Sequence, residues 1–446
     1  MFFLRPPKGG LSVGAVTLVA PVRPALTVGN ATLAADNSPA FVLDEIAFTV
    51  YYPANPAPNA RRKSLDWLLR PVSSSLRGFS RFAGLPGWLL WPIIRLFGAA
   101  LKIPVYTNAP LLHPGETRKQ WPLVIFSHGL CGTRTAYSQI CSEMAASGRV
   151  VLAIEHRDGT APACTSRAGS PDERTILYYR TADVVFPPDD REPRILPIRA
   201  DQLVFRQHEI HRIYASFCAF VRDGTTLAAI DNSPVDLASW LPTGGPALVN
   251  CEDVTLIGHS FGGCTVLSVL STPPPSPYPP IPISKVLLYD PWLEPLPLPG
   301  PSPTTSVSER TFADTDMELD AEKPGVHREE MLVINSEIFS LWKDHFTRLA
   351  GVVDAWEPQG RRLLTLVGSR HAHFSDFPQL PLVRTKVAAV QRDRVAKLTL
   401  AFLDGKLDVA LEQVPTRKME IKTVGTRKDG RPKRMIIGDV GDVVVH

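Results

Sequence analysis

The 446-residue chain is 44% hydrophobic and 21% charged, a balance that supports a buried core and excludes a disordered protein. Its 48 basic and 44 acidic residues give a formal net charge of +4, which argues against a nucleic-acid footprint over the whole surface. Six scattered cysteines form no CxxC pair, so we expect a reduced compartment, no metal site and no cofactor, with Cys131 and Cys264 as buried fillers.

The N-terminal segment is predicted to begin a sheet rather than to direct secretion. GGLSVGAVTLVAPV interleaves apolar residues with Ser12 and Thr17, and it lacks the solid apolar stretch of a signal peptide. FVLDEIAFTVYYPA alternates Phe48, Val50 and Tyr52, as a half-buried strand does. We therefore expect an antiparallel β-edge and a cytoplasmic protein.

The most hydrophobic region is RFAGLPGWLLWPIIRLFGAALKIPV, at 81–105. Pro92, Arg95 and Lys102 interrupt it too often for a transmembrane helix, which needs about 20 apolar residues. Arg95 and Lys102 are seven apart and would share one face of a tryptophan-rich helix. Residues 55–105 are thus predicted to be an insertion that either touches a membrane peripherally or caps an active site, and the two roles are compatible.

Residues 121–160 indicate the fold class. Two short apolar runs, Pro122 to Phe126 and Val150 to Ile154, flank a helical stretch from Tyr137 to Ala146, which predicts a βαβ unit of a parallel sheet. The turn SHGLCGTR follows the first run, where backbone amides can face a developing negative charge. A simple tight turn is the alternative.

Three segments rich in charged residues come next. Glu155 to Asp158 end the second strand, and we expect them to form ion pairs that fix neighbouring loops. A long helix is predicted over 199–221, with its charges on a solvated or interhelix face. The segment 185–198 is Pro-rich and acidic and is predicted to be an exposed loop.

The stretch VTLIGHSFGGCTVL, at 254–267, contains the pattern G-x-S-x-G around Ser260. A strand, Val254 to Ile257, precedes the pattern, and a helix, Gly263 to Leu270, follows it. This setting is that of a nucleophile elbow, in which glycines leave room for a strained turn. Ser260 is the predicted nucleophile, with an ordinary turn serine as the alternative.

A serine nucleophile needs a base and an acid, expected downstream in the order Ser, Asp or Glu, His. Asp290 follows the apolar run Val286 to Tyr289, and His371 and His373 follow Leu363 to Val367. The two histidines compete as base. Asp290 competes as acid with three other carboxylates, those of Glu294, Asp314 and Asp316.

Five ordered stretches, FSHGLCGTRTAYS, AIEHRDGTA, GHSFGGCTV, LLYDPWLEPL and GSRHAHFSDF, resemble motifs of the platelet-activating factor acetylhydrolase family, in its plasma and intracellular type II branch. The resemblance implies an α/β-hydrolase fold, with a mostly parallel central sheet, antiparallel N-terminal strands, helices on both faces and Pro-rich loop insertions. It places the catalytic roles on Ser260, Asp290 and His371, and the oxyanion amides on Leu130 and Phe261. It also places substrate contacts at Trp292 and His259.

The implied reaction is calcium-independent hydrolysis of the sn-2 ester of phospholipids with acetyl, short or oxidised acyl chains. A general carboxylesterase acting on soluble esters and a catalytically silent binding scaffold remain alternatives. The sequence departs from the family at Pro291 and in Pro-rich inserts at 273–282 and 295–303. We expect one domain over 1–412, followed at 413–446 by a basic tail, either unstructured or in contact with anionic lipid.

Overall fold

The computed structural model describes residues 2–58, 64–93, 100–115, 118–166, 170–171, 173–187, 196–225, 227–230, 235–242, 244–298, 300–301, 329–357, 360, 362–381 and 383–446. In chain order the strands are β1 (Phe2–Phe3), β2 (Val13–Thr27), β3 (Thr32–Leu33), β4 (Val42–Pro53), β5 (Leu65–Asp66), β6 (Leu101–Ile103), β7 (Tyr106–Thr107), β8 (Trp121–Ser127), β9 (Val150–Ile154), β10 (Ala163–Ser166), β11 (Arg174–Leu177), β12 (Val184–Val185), β13 (Ala228–Ala229), β14 (Val249–His259), β15 (Ile283–Tyr289), β16 (Glu330–Ser336), β17 (Leu363–Leu366), β18 (Thr416–Arg417), β19 (Ile421–Thr426), β20 (Pro432–Ile436) and β21 (Val443–Val445). The α-helices are α1 (Val72–Ala83), α2 (Gly87–Ile93), α3 (Ser138–Ala146), α4 (Pro197–Asp223), α5 (Phe261–Ser271), α6 (Glu337–Ser340), α7 (Lys343–Trp356), α8 (Lys386–Leu403) and α9 (Leu407–Glu412).

A 12-stranded sheet carries the fold, in the order β13-β2-β4-β9-β8-β14-β15-β16-β17-β21-β18, with β7 beside β2. The six strands from β9 to β17 in this order are parallel. β2 and β4 are antiparallel to each other, and β4 is antiparallel to β9. The predicted α/β class, with a mostly parallel sheet and an antiparallel N-terminal edge, is confirmed.

The core lies on both faces of this sheet. Alternate residues of β14 enter different apolar clusters, with Leu256 in the cluster that contains α4, α5 and α7, and Ile257 in the cluster that contains α3 and α8. Strands buried on both faces have continuous apolar sequences, which is why the sequence predicted these strands. Helices on both faces are thus confirmed.

The region 81–105 differs from the prediction of one helix. Gly84, with φ of +64°, ends α1, and the short α2 follows. Lys102 lies in β6 and pairs with Asp66, so it shares no helix face with Arg95, which falls outside the described residues. Trp88 of α2 is 74% exposed, so α2 is not a buried cap. Among the described residues, no helix is both long and apolar enough to cross a bilayer.

Residues 413–446 were predicted to be a basic tail, and the alternative of an unstructured tail is wrong. β21 pairs antiparallel with β17, and β18 pairs with β21, so the central sheet extends past residue 412. Val443 and Val444 are buried, because the short apolar run covers the edge that β17 would otherwise leave open. β19 and β20 form a separate antiparallel hairpin.

The attachment of β21 can be tested by truncating one buried side chain. Val443 is fully buried, and Val443→Ala should lower the free energy of unfolding by about 2 kcal/mol, measured by urea denaturation. Val424→Ala is the matched control, because Val424 of β19 is 42% exposed and its truncation should cost less than about 0.5 kcal/mol. Equal effects would contradict the docking of β21.

Candidate active site

Ser260 lies in a sharp turn between β14 and α5, with φ of +58° and ψ of −119°. A side chain at Gly262 would place its Cβ 2.0 Å from the carbonyl oxygen of Ser127, at the end of β8. Glycine therefore lets the turn approach the neighbouring strand, and the strained backbone presents the serine at the sheet edge. This is the geometry of a nucleophile elbow.

The loop that carries Asp290 is hydrogen-bonded to this turn through the backbone. The Ser260 amide donates to the Tyr289 carbonyl at 2.9 Å, and the Trp292 amide donates to the Ser260 carbonyl at 3.1 Å. Asp290 itself has φ of +42°. The two loops on adjacent parallel strands are thus held in one register, and Pro291 does not prevent it.

Asp290 and His371 are brought together from loops that follow β15 and β17. The carboxylate of Asp290 is fully buried, and its Oδ2 accepts from His371 Nδ1 at 2.9 Å. The backbone N–H and the hydroxyl of Ser336 also donate to this carboxylate, each at 2.5 Å. These charge-assisted bonds fix the carboxylate and orient the imidazole.

The competing candidates are placed differently. His373 Nδ1 accepts from the Arg370 amide at 2.9 Å, so that ring is occupied by its own turn. Glu294 has no hydrogen bond to either histidine among the described residues, and Asp314 and Asp316 lie outside them. The geometry favours Asp290 as the acid and His371 as the base.

Two rings flank His371. Phe339 stacks on it with centroids 4.5 Å apart and an interplanar angle of 3°, and the His259 ring lies 4.4 Å away. The hydrogen bonds between described residues include none between Ser260 and His371, as is common in enzymes without bound substrate. The predicted base is held in place by stacking and by Asp290, and the His259 ring beside it belongs to the residue that precedes Ser260.

His259 occupies a buried position, where its Nδ1 is hydrogen-bonded to the hydroxyl of Tyr137 at 2.8 Å. Burial and the neighbouring His371 hold the pKa of His259 well below its usual range, so the ring is neutral. It adds no positive charge beside the predicted base. This position suits support of His371 better than the predicted contact with substrate.

His259, Asp290 and His371 also offer potential metal-ligand atoms within 4.8 Å of one another, and no other such set occurs in the described part of the chain. The Nδ1 atoms of both histidines already have partners, Tyr137 and Asp290. The hydrogen bond between His371 and Asp290 accounts for the closeness of those two residues.

The turn after β8 packs directly against the elbow. A Cβ on Gly129 would lie 2.8 Å from the Cβ of Ser260, so this backbone can approach Ser260 only because residue 129 is glycine. No backbone hydrogen bond between described residues is donated by the amides of Leu130 or Phe261. Their location beside Ser260 suits the predicted oxyanion role.

Beneath this turn lies a fully buried cation, Arg206 of α4. Its Nη1 donates to the His128 carbonyl at 2.8 Å, its Nε donates to Asp158 at 2.7 Å, and its Nη2 donates to Thr160 at 2.6 Å. The guanidinium also lies 4.6 Å from the ring centroid of Phe261. Arg206 therefore joins the turn, the end of β9 and the elbow.

The neighbouring charges behave in two ways. The prediction that 155–158 form ion pairs that fix loops is confirmed, since Asp158 pairs with Arg206, and Arg157 pairs with Glu45 at 2.8 Å. The prediction of a solvated or interhelix face on α4 is confirmed in its second form for Arg206, which donates to Thr265 of α5 at 3.2 Å. Arg206 and Glu209 are not solvated, because both are buried against the end of β9. Charged groups at that strand end need buried partners, and α4 supplies them.

The thiols beside the motifs are buried fillers, as predicted. Cys131 and Cys264 are both buried, and burial raises the pKa of each thiol. A protonated thiol is a poor nucleophile. Neither cysteine therefore competes with Ser260.

Sequence reasoning missed four supporting residues: Tyr137, Arg206, Ser336 and Phe339. Ser336 and Phe339 belong to β16 and α6, and the apolar run EMLVINS could have revealed that strand. Nothing in the sequence pairs Arg206 with residues 46 to 78 positions away.

The chain is similar to known esterases. A sequence profile described as platelet-activating factor acetylhydrolase, isoform II, matches residues 13–302. The platelet-activating factor acetylhydrolase of Bos taurus is 30% identical over 226 residues, 50% of this chain and 46% of that protein. The enzyme of that name from Cavia porcellus is 26% identical over 370 residues, 79% of this chain and 71% of that protein.

A solved structure of a ferulic acid esterase from Streptomyces cinnamoneus aligns with 89% of this chain and 91% of its own chain, with a TM-score of 0.48 and 16% identity. The chain spans about half the length of the bovine and canine relatives.

The role of Arg206 can be tested by replacing it with an uncharged residue of similar length. Arg206→Met leaves Asp158 buried without its partner and should lower the free energy of unfolding by about 3–5 kcal/mol. Arg222→Met is the control on the same helix, because that side chain is 71% exposed. Urea denaturation measures both, and adding Asp158→Asn to Arg206→Met should recover part of the loss. Similar effects of the two arginine replacements would contradict the assignment.

Proposed function

The chain belongs to the platelet-activating factor acetylhydrolase, isoform II, family, and from that premise we propose that it is a serine esterase acting on phospholipids. The proposed substrates carry an acetyl, short or oxidised acyl chain at the sn-2 position, and no calcium is required. The observation that carries the proposal is the 2.9 Å bond from His371 to buried Asp290, beside the positive-φ turn of Ser260.

The proposed mechanism begins with the tautomer of His371. Because Nδ1–H donates to Asp290, the lone pair of a neutral ring lies on Nε2 and can accept the Ser260 proton. Ser260 Oγ then attacks the ester carbonyl, while Asp290 stabilises the imidazolium that forms. The amides of Leu130 and Phe261 stabilise the negative charge on the carbonyl oxygen.

The second half of the reaction uses the same groups. The imidazolium protonates the leaving lysophospholipid oxygen, which leaves an acyl-enzyme on Ser260. His371 then takes a proton from a water molecule, and the water oxygen attacks the acyl carbonyl. The bond to Ser260 Oγ breaks, Ser260 regains its proton from His371, and the short acid is released. Trp292 lies two residues after Asp290 and is partly exposed. Its ring centroid is 6.1 Å from that of Phe261, which supports a role beside the acyl group.

We also propose that the surface around α1 and α2 touches the lipid aggregate. It exposes five large apolar side chains, with fractions of 48%, 43%, 74%, 46% and 44% for Phe82, Leu85, Trp88, Leu89 and Trp91. Tryptophan-rich surfaces of this kind lie in the headgroup layer. α1 also reaches the segment after His371, because Phe79 packs against Phe377 with centroids 6.0 Å apart.

The choice of base can be tested with the two nearby histidines. His371→Ala should reduce turnover of p-nitrophenyl acetate by about 10⁴-fold or more, since both proton transfers depend on it. His373→Ala, the matched control, should stay within about tenfold of the unchanged protein. Labelling of Ser260 by a fluorophosphonate should fall in step with turnover. A larger loss for His373→Ala would exchange the two roles.

The substrate class can be tested by comparing a micellar sn-2 acetyl phospholipid with p-nitrophenyl acetate, with and without a calcium chelator. We expect hydrolysis of both, unchanged by the chelator and abolished by Ser260→Ala. Cleavage of the soluble ester alone would indicate a general carboxylesterase. No labelling of Ser260 in the folded protein would indicate a binding scaffold, and loss of activity with chelator would refute calcium independence.

A further inference from the structure

The hairpin of β19 and β20 is a strongly basic projection. Apart from Ile436, residues 421–436 are exposed. The segment carries one acidic residue, Asp429, and six basic ones, Lys422, Arg427, Lys428, Arg431, Lys433 and Arg434. Within the described residues, its only ion pair is the 3.9 Å contact of Arg431 with Asp429. Five of its cations are therefore available to an anionic partner.

The same surface exposes apolar side chains. Ile421, Val424 and Met435 of the hairpin are 48%, 42% and 39% exposed, and Ile338 and Trp342 beside it are 50% and 43% exposed. Cations mixed with exposed aliphatic and aromatic groups are typical of surfaces that enter the headgroup layer of a membrane. The aliphatic groups would gain nothing from a nucleic-acid backbone, which favours a lipid partner.

The hairpin is fixed to the loop that carries the proposed base. The Glu337 carboxylate accepts from the Ile436 amide at 3.2 Å and from the Gly368 amide at 2.7 Å. Glu337 directly follows Ser336, the residue that donates twice to Asp290. The position of the hairpin is thus coupled to the catalytic edge of the sheet.

A cleft of about 750 Å³ separates the hairpin from that edge. Phe339 and Arg370 line one side, and Arg427, Arg431 and Arg434 are among the residues of the hairpin side. Phe339 is the ring stacked on His371, and Arg370 immediately precedes His371. Negatively charged headgroups held by the hairpin would therefore lie next to the base.

We propose that the β19–β20 hairpin docks the protein onto membranes that contain anionic phospholipids, with the cleft beside His371 facing the lipid. The hairpin lies beyond residues 13–302, which match the family profile, so it is a feature additional to that match. That this docking delivers a lipid ester to the site rests on the proposed function. The membrane binding itself can be measured without catalysis.

The test measures vesicle binding of the full-length Ser260→Ala protein by flotation. Vesicles of phosphatidylcholine alone are compared with vesicles that also contain phosphatidylserine, at low and high salt. We expect partitioning to rise with the phosphatidylserine fraction and to fall with salt, because screening weakens attraction between exposed charges. Binding through the apolar surface of α1 and α2 would instead be similar on both kinds of vesicle.

The decisive variant in this background is the triple replacement Arg427→Gln, Lys433→Gln and Arg434→Gln, which removes three of the five cations without an ion pair among the described residues. Loss of three surface cations should weaken binding to phosphatidylserine vesicles by about 100-fold. The control removes the same charge elsewhere, by Arg222→Gln, Lys397→Gln and Lys406→Gln, all exposed, and should bind within about threefold of its parent. Circular dichroism checks that both variants fold.

Equal binding of the two triple variants, or binding independent of phosphatidylserine, would overturn the inference. Stronger, variant-sensitive binding to an RNA oligonucleotide than to these vesicles would overturn it as well. With Ser260 restored, the hairpin variant should cleave p-nitrophenyl acetate at the unchanged rate. Failure of the intact enzyme to cleave any phospholipid, with vesicle binding retained, would defeat the proposed function and leave the docking surface standing.

Discussion

The hydrogen bond from His371 to the carboxylate of Asp290 depends on burial. Asp290 has no contact with solvent, and Ser336 donates to it twice, so its charge is stabilised by fixed donors rather than by water. Fixed donors at a buried carboxylate keep its geometry constant and orient the imidazole that it holds. Asp290 follows β15, Ser336 ends β16, and His371 lies in the loop after β17. These three strands are neighbours in the sheet. The parallel order of the strands is therefore what assembles the site.

A second, electrostatic layer lies under Ser260. Arg206 donates to the His128 carbonyl of the turn after β8 and to the Asp158 carboxylate after β9, and it lies over the face of Phe261. A buried guanidinium with several fixed acceptors joins segments that the sheet hydrogen bonds do not connect. The turn and the elbow can thus keep their relative positions, on which an oxyanion site depends. This layer supports the site from α4, a helix that contributes no proposed catalytic residue.

Two surfaces next to the His371 loop have different chemistry. The α1–α2 side is apolar and rich in tryptophan, and the β19–β20 hairpin is basic with scattered aliphatic groups. The first suits burial in the headgroup layer, and the second suits attraction to anionic lipid. Phe377 and Phe339 connect these surfaces to the segment around the proposed base. A lipid esterase with both would combine insertion with electrostatic attraction.

The sequence by itself determined the parts of this protein that rest on local patterns. The apolar runs predicted the parallel strands, G-x-S-x-G with its flanking strand and helix predicted the elbow at Ser260, and chain order proposed Asp290. Local patterns could not separate His371 from His373, since the two are equivalent in spacing and only hydrogen bonds to distant residues distinguish them. They also predicted one helix in 81–105, where Gly84 ends α1 and a second short helix follows. In the C-terminal segment they predicted an unattached tail, because local patterns do not show that β21 pairs with the open edge of β17. The tertiary structure alone decided the burial of Arg206, the support from Ser336 and Phe339 and the attachment of β21, because each depends on contacts between residues far apart in the chain.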